Sequence, residues 1–377
     1  MTIPVFKPYI EKKDIKNINK SLNFGWLGMG KDVMNFENEL SKYLQLKKNN
    51  RHIVTVNTGH SALHLAVLLL NCKKNDEIIT PSFNNISDLQ AISTGNAKPV
   101  FCDIDVNTLC IDLDKAEKLI TKKTRAIVIM DYDCFLCDHD KANYISKKYG
   151  IKIIHDAAHS FGSSYKGKKI GTFSDICMFS FDPVKPLTCI DGGALVVKTK
   201  KERDMLHRLR LIGMGQPAKV MYKNKRAWTY DVKTQGYRYH LANSHAAMGI
   251  SQLKKIDMIK RKRINLCKRY NQYLSNNKNI IIPKTNFENL IPFLYYIRVL
   301  KGKRSQLINF LKRKNIDTGI HWQPGHTFSY FKNCKRGELK VTNKISKEVL
   351  SLPLFPELSE KKVKYISTMI NNFYEKK

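Results

Sequence analysis

From His52 onward the chain alternates two patterns, a short run of β-branched and apolar residues followed by a stretch with helical spacing. HIVTVN (His52 to Asn57) precedes SALHLAVLLLN (Ser61 to Asn71), DEIITPS precedes ISDLQAIST, KPVFCDID precedes DLDKAEKLIT, TRAIVIMDYD precedes KANYISKKYG, and IKIIHDAAH closes the series. Strands joined through helices pair side by side in parallel, because each helix carries the chain back to the edge it left. The expected fold is therefore α/β, a mostly parallel sheet flanked by helices. After Gly192-Gly193 the character changes to a long helical segment from Ala242 to about Ser275, a mixed stretch (FLYYIRVLKG, RSQLINFLKRKN, TGIHWQPG) and a final helix from Glu360. That reads as a smaller C-terminal α+β domain. The expected boundaries are an N-terminal arm over 1–30, a large domain over 31–250 and a small one over 251–377. With 42% hydrophobic residues in 377, both have material for a core.

Lys and Arg total 66 against 32 Asp and Glu, a formal charge of +34. Such a balance suits nucleic acid, an anionic membrane surface or a phosphorylated small substrate, and does not choose among them. Most of the surplus is lysine scattered singly and in pairs. The one dense run, KKIDMIKRKRINLCKR (Lys254 to Arg269), carries Ile256, Ile259, Ile264 and Leu266 at the spacing of one helix face. No interleaved aromatics or recognised module accompany it, so it reads as a solvated helix; neither nucleic acid nor membrane is an expected partner. Nine cysteines show no disulfide rhythm, MTIPVFKPYI lacks signal-peptide regions and no apolar run approaches membrane-span length, so a cytoplasmic location is expected. Cys134 and Cys137 form a lone CxxC without a second pair for zinc or a thioredoxin-like unit for redox work; they read as core or loop residues, and no metal site is expected.

Chemistry concentrates between Ile151 and Gly193. Asp156 falls where the strand IKIIH runs out, the edge at which open α/β sheets bind ligands, and a carboxylate there is expensive without a positive partner. Lys185 follows a second apolar run, ICMFSF, within which Ser180 supplies a hydroxyl. A carboxylate, a lysine and a hydroxyl on neighbouring strand ends suit pyridoxal phosphate, whose aldehyde forms a Schiff base with lysine and whose pyridinium nitrogen takes an acidic partner. Upstream, Thr58-Gly59-His60 joins a strand to a helix, so backbone N–H groups and the positive helix end converge on one place fit for phosphate. It is neither a Walker A loop nor a dinucleotide fingerprint.

These segments, with GWLGMGKDVMNFENEL, NTGHSALHLAV, TPSFNNISDLQAI, HDAAHSFGSSYKGKKIGTFSD, FSFDPVKPLTCIDGG, YRYHLANSHAAMGISQL and LSLPLFPEL in order along nearly the whole chain, resemble the DegT/DnrJ/StrS family of nucleotide-sugar aminotransferases, which have the fold of aspartate aminotransferase, type I among pyridoxal-phosphate enzymes. The resemblance implies that Lys185 tethers the cofactor and moves the proton between substrate and cofactor carbons. It implies that Asp156 keeps the ring nitrogen protonated, that His159 lies near the ring or its phenolic oxygen, and that Ser180 and the Thr58-Gly59-His60 turn hold the phosphate. A packed, hydrogen-bonded role for His159 stays open. Arg238 falls where many relatives carry an Asn that reaches the partner subunit's cofactor phosphate, which implies a homodimer with shared sites. Trp26 and Leu27 are implied to contact substrate.

Four departures stand out. His60 replaces the usual Thr, Asn85 the aromatic ring that stacks on the cofactor, and Asp131 and Asp133 the His and Gly of a His-Tyr-Gly loop. The last two bring acids toward a site for anionic ligands. In TGIHWQPGHTFSYF, His321, Trp322 and His326 form an aromatic cluster suited to stacking on a nucleobase or sugar face. The expected activity is transfer of an amino group, with glutamate as donor, to a keto carbon of a nucleotide-linked deoxysugar; the alternative is a cofactor-binding homologue without turnover that acts as a regulator or assembly partner.

Overall fold

The computed structural model describes residues 2–215, 218–226 and 228–375. Its helices are α1 (Lys12–Asn23), α2 (Lys31–Tyr43), α3 (Gly59–Leu68), α4 (Ile86–Thr94), α5 (Leu113–Lys118), α6 (His139–Tyr149), α7 (Lys200–Leu209), α8 (Ala218–Met221), α9 (Asn243–Leu253), α10 (Ile256–Leu274), α11 (Arg304–Arg313), α12 (Lys340–Glu348) and α13 (Glu360–Glu375). The main sheet uses β1 (His52–Val56), β2 (Asp76–Pro81), β3 (Ala97–Cys102), β4 (Thr124–Met130), β5 (Lys152–Asp156), β8 (Ile176–Ser180) and β9 (Gly193–Val197); β6 (Ser164–Tyr165) and β7 (Lys168–Lys169) make a hairpin. A second sheet holds β10 (Ile280–Ile281), β11 (Tyr295–Val299) and β12 (Val349–Leu352).

The seven strands lie in the order β1-β9-β8-β5-β4-β2-β3, parallel except for β9, which runs against both neighbours. Alternation accounts for the near-continuous apolar strands. Ile78, Val128 and Ile154 pack on one face with α3, whereas Ile79, Ile127, Ile129 and Ile153 pack on the other. A sheet covered on both sides needs apolar residues at both parities. Gly193 permits the β1–β9 pairing at the site end: a Cβ there would stand 2.5 Å from the Thr58 carbonyl oxygen.

The periodic reading from His52 to Asp156 predicts five strands, and all five are present. It misses GALVV as a strand, because the two glycines read as a break and the antiparallel return follows no crossover helix. The expected single helix from Ala242 to Ser275 is divided at Lys254-Lys255 into α9, packed on α1 and α2, and α10, packed on α13. Within α10, Ile256, Ile259 and Leu266 are buried as spaced, and so is Arg263, whose guanidinium donates to the Pro292, Phe293 and Leu354 carbonyls at 3.3, 3.1 and 3.2 Å. The basic run thus contributes one cation to the interior. Cys134 and Cys137 are buried, unlinked and in separate apolar clusters.

Candidate active site

The carboxyl ends of β1, β2, β4, β5 and β8 open onto one cavity of about 360 Å³. Lys185, Asp156, Ser180, Thr58, Gly59, His60, Asn85, His159, His321 and Trp322 all line it, although they span more than two thirds of the chain. Their convergence follows from sheet order, since parallel strands deliver each following loop to the same edge.

At the β1 end, Thr58 caps α3: its Oγ1 accepts from Ser61 N at 2.9 Å and meets Ser61 Oγ at 2.9 Å, while Ser61 Oγ donates to Asn57 Oδ1 at 2.7 Å. The helix opens at Gly59, two residues before the expected Ser61. Gly59 is required by close approach, because a Cβ there would lie 2.8 Å from Ser180 Cβ. Free N–H groups of the first turn therefore face the cavity beside the Ser180 hydroxyl, a cradle for an anion. His60 is exposed at its rim. Asn85 Oδ1 accepts from Ser87 N at 2.8 Å and caps α4, so this amide has a structural task besides lining the cavity.

Lys185 is only partly exposed, and its Nζ sits 3.8 Å from the centroid of the Phe293 ring. Burial pushes the amine down to about 8, against the opposing pull of Asp156, Asp182 and Asp133. Asp156 is buried at the end of β5, where Oδ1 accepts from Ala158 N at 2.9 Å. Burial raises Asp156, and the Ala158 N–H, Asp88 and Lys185 pull it back. An amine of lowered basicity thus shares an open cavity with a buried carboxyl. Phe6, Phe293, His321, Trp322 and His159 wall the far side; Phe6 stacks on Phe293 at 5.2 Å and His159 on Trp322 at 5.9 Å.

The two replaced positions of the His-Tyr-Gly loop diverge. Asp131 is absent from the cavity lining and is buried against His155 Nε2 at 2.7 Å, His139 Nε2 at 3.4 Å and the Cys137 N–H at 2.8 Å. Burial alone would raise its pKa, yet the two histidines hold it well below the usual range, while Asp131 lifts His155 well above its own. The 2.7 Å contact is that of a hydrogen-bonded ion pair. Asp133 does lie near Lys185, with φ 51°, a left-handed backbone that Asp tolerates better than most residues. Burial pushes its carboxyl well up and pushes its neighbour His159, 3.1 Å away, well down, so burial disfavours the charged form of each. Asp131 is thus paired with two histidines away from the cavity, and burial works against a charge on Asp133.

Four expected residues, His326, Trp26, Leu27 and Arg238, stand apart from this cavity. His326 lies outside it, with Nδ1 2.7 Å from Ser82 Oγ and Nε2 3.1 Å from Asn343 Oδ1, where it joins the end of β2 to α12. Trp26 and Leu27 line a different hollow of about 590 Å³, together with Arg238, Arg226, Tyr230 and His240. Conversely, Phe6, Asp182, Asp191 and Phe293 line the cavity without having been singled out from the sequence. FSFDPVKPLTCIDGG did contain both aspartates; the two phenylalanines arrive through tertiary contacts that no local pattern signals.

A reactive lysine, a buried carboxylate opposite it and an anion cradle at a helix end, on the strand ends of an open α/β sheet, define a pyridoxal-phosphate enzyme of the lysine-tethered class, and the donor set fits that cofactor. More narrowly, the chain belongs to the DegT/DnrJ/EryC1/StrS aminotransferase family, whose model matches residues 8–371. It is 32% identical over 367 residues to the spore coat polysaccharide biosynthesis protein SpsC of Bacillus subtilis, covering 95% of this chain and 93% of that one. Among solved structures, Helicobacter pylori PseC, an aminotransferase involved in the biosynthesis of pseudoaminic acid, superposes with a TM-score of 0.92 at 25% identity over 100% of both chains. The aminotransferase TlmJ from Streptoalloteichus hindustanus superposes with a TM-score of 0.91 at 25% identity over 99% of both. The protein is a pyridoxal-phosphate-dependent aminotransferase.

Proposed function

We propose that the enzyme transfers an amino group from glutamate to a keto carbon of a nucleotide-linked deoxysugar. The observation that carries this reading is Lys185, an amine lowered to about 8 by burial and directed into the same cavity as Asp156 and the α3 cradle. Pyridoxal phosphate, when bound, supplies the carbonyl and electron-withdrawing ring on which amino transfer depends. Asp156 would hold the ring nitrogen, and Ser180 with the first turn of α3 would hold the phosphate. Lys185 would tether the group and, as a free amine, would move the proton between the two carbons. Its lowered pKa suits both tasks, because the amine gains and loses a proton near neutrality. Glutamate departs as 2-oxoglutarate, its keto oxygen taken from one water, and the acceptor's ketone oxygen leaves as another, so no net water is formed. The His321 and Trp322 wall offers aromatic surface for the sugar or base. SpsC and PseC belong, by their names, to polysaccharide and amino-sugar biosynthesis, which supports a sugar acceptor.

The same reading takes two copies per active unit, and the charge of the cavity supports it. The lining sets one lysine against Asp156, Asp182 and Asp191, a poor balance for a phosphate dianion and a sugar diphosphate. Arg238 lies in a separate hollow of its own protomer, and in this reading a second copy supplies its guanidinium. Leu27 and Tyr230 of that hollow are 53 and 59% exposed, an apolar surface suited to a subunit contact. The test of substrate is incubation with glutamate, pyridoxal phosphate and a panel of dTDP- and UDP-linked 3- and 4-ketosugars. Mass spectrometry is expected to find one amino sugar formed in equal amount with 2-oxoglutarate; no amino product from any member rejects the ketosugar assignment.

A further inference from the structure

Asp88 has no part in the chemistry described so far. It is the third residue of α4, 1% exposed, and neither carboxyl oxygen has a hydrogen-bond partner among the described residues when both acids are ionised. What it meets is Asp156; its other polar neighbour is the Asn84 amide, 3.5 Å from Thr80 Oγ1. Asp156 in turn faces Asp88, Lys185, His155 and the Ala158 N–H. Two buried carboxyls in contact share a proton, since like charges there are costly.

Which acid holds the proton follows from magnitudes. A position in the first turn of a helix favours an anion by roughly 0.3–1 kcal/mol. Burying a carboxylate with no compensating cation costs several kcal/mol, so the helix end does not keep Asp88 ionised. Asp156 has the better claim to the charge, having an N–H donor at 2.9 Å and Lys185 within reach. Burial and then the Asp156 charge push Asp88 well above the usual carboxyl range.

We propose that Asp88 is a positioning residue, a neutral carboxylic acid that donates its O–H to Asp156 and so keeps the Asp156 carboxylate anionic and oriented toward the cofactor ring nitrogen. This rests on the reading of Asp156 given above. The arrangement adds a donor without adding charge. It also explains why an acid is tolerated behind the cavity wall, where an ionised one would compete with the cofactor for Lys185.

The first test needs no cofactor. The infrared difference spectrum of the apoprotein, wild type minus Asp88→Asn at pH 7.5, is expected to show loss of a protonated-carboxyl C=O stretch. Asp133→Asn, recorded in parallel, removes the separate band of the other buried acid. Loss of a carboxylate stretch instead would mean that Asp88 is ionised and would overturn the proposal. The second test is pyridoxal-phosphate affinity. Asp88→Asn, which keeps an N–H donor, is expected to bind within about threefold of wild type, whereas Asp88→Ala, lacking one, loses roughly tenfold or more, the scale of a hydrogen bond to a charged group. Equal affinity of the two variants, with Asp156→Asn strongly impaired, overturns the role of Asp88 alone. Unchanged affinity in Asp156→Asn overturns the assignment of Asp156 and the positioning role with it.

Discussion

Lys185 is chemically useful because its surroundings make it a weaker base. Its amine is lowered to about 8 from 10.5, so roughly a tenth is neutral at pH 7 and roughly nine tenths at pH 9. Only the neutral form attacks a carbonyl. The rate of pyridoxal-phosphate capture by the apoprotein, followed by stopped-flow absorbance, is expected to rise about tenfold between pH 7 and 9 and then level off. A rate still climbing above pH 10 would mark an ordinary exposed lysine. Lys185, Asp156 and the Thr58-Gly59-His60 turn were legible in the sequence because each follows directly on a strand whose pattern is local. Asp88 was not, since it meets Asp156 across about seventy positions of chain and its own segment reads only as a helix start. Asp131 was legible as a departure but not as an ion pair, because His139 and His155 reach it through space.

Among the elements, the ones that fix the cavity are held by a buried ion pair far from the chemistry. Arg210, at the end of α7, donates to Glu37 Oε1 of α2 at 2.8 Å, binds the Thr55 carbonyl of β1 and reaches Tyr222 at 2.7 Å. Glu37 also accepts from Thr55 N at 2.8 Å and from the Tyr222 hydroxyl, so α2, β1, α7 and the segment after α8 share one network just before the Thr58 turn. Burial alone would raise Glu37, but Arg210 lowers it; the stability it lends is present above the unfolded carboxyl range and is lost as pH falls through the folded pKa. Arg210→Met strands the buried carboxylate and is expected to cost about 3 kcal/mol at pH 7 in urea unfolding. That deficit shrinks toward pH 4.5, because the stranded acid protonates more readily than the paired one. A deficit independent of pH would mean that lost packing, not charge, is responsible. The parallel strands and their helices were legible from alternation; β9 and the break between α9 and α10 were not, since antiparallel return and helix interruption are set by packing against β1, β8, α1 and α2.

For the whole molecule, the proposed shared site needs two copies. Sedimentation equilibrium is expected to give about 87 kDa, twice the 43.6 kDa chain. Mixed dimers of Lys185→Ala and Arg238→Ala chains are expected to recover pyridoxal-phosphate binding at one site in two, because the first chain supplies the arginine to the second chain's intact lysine; no recovery would place Arg238 outside the shared site. No helix among the described residues is long and apolar enough to cross a membrane. The central claim is that Lys185 tethers the cofactor and passes an amino group from glutamate. The most direct measurement is the visible absorption of the protein with pyridoxal phosphate, before and after glutamate, for wild type and Lys185→Ala. A yellow band in wild type that is absent from Lys185→Ala and bleaches as 2-oxoglutarate appears is the predicted result. A band of equal strength in Lys185→Ala, or one that glutamate leaves unchanged, would contradict it.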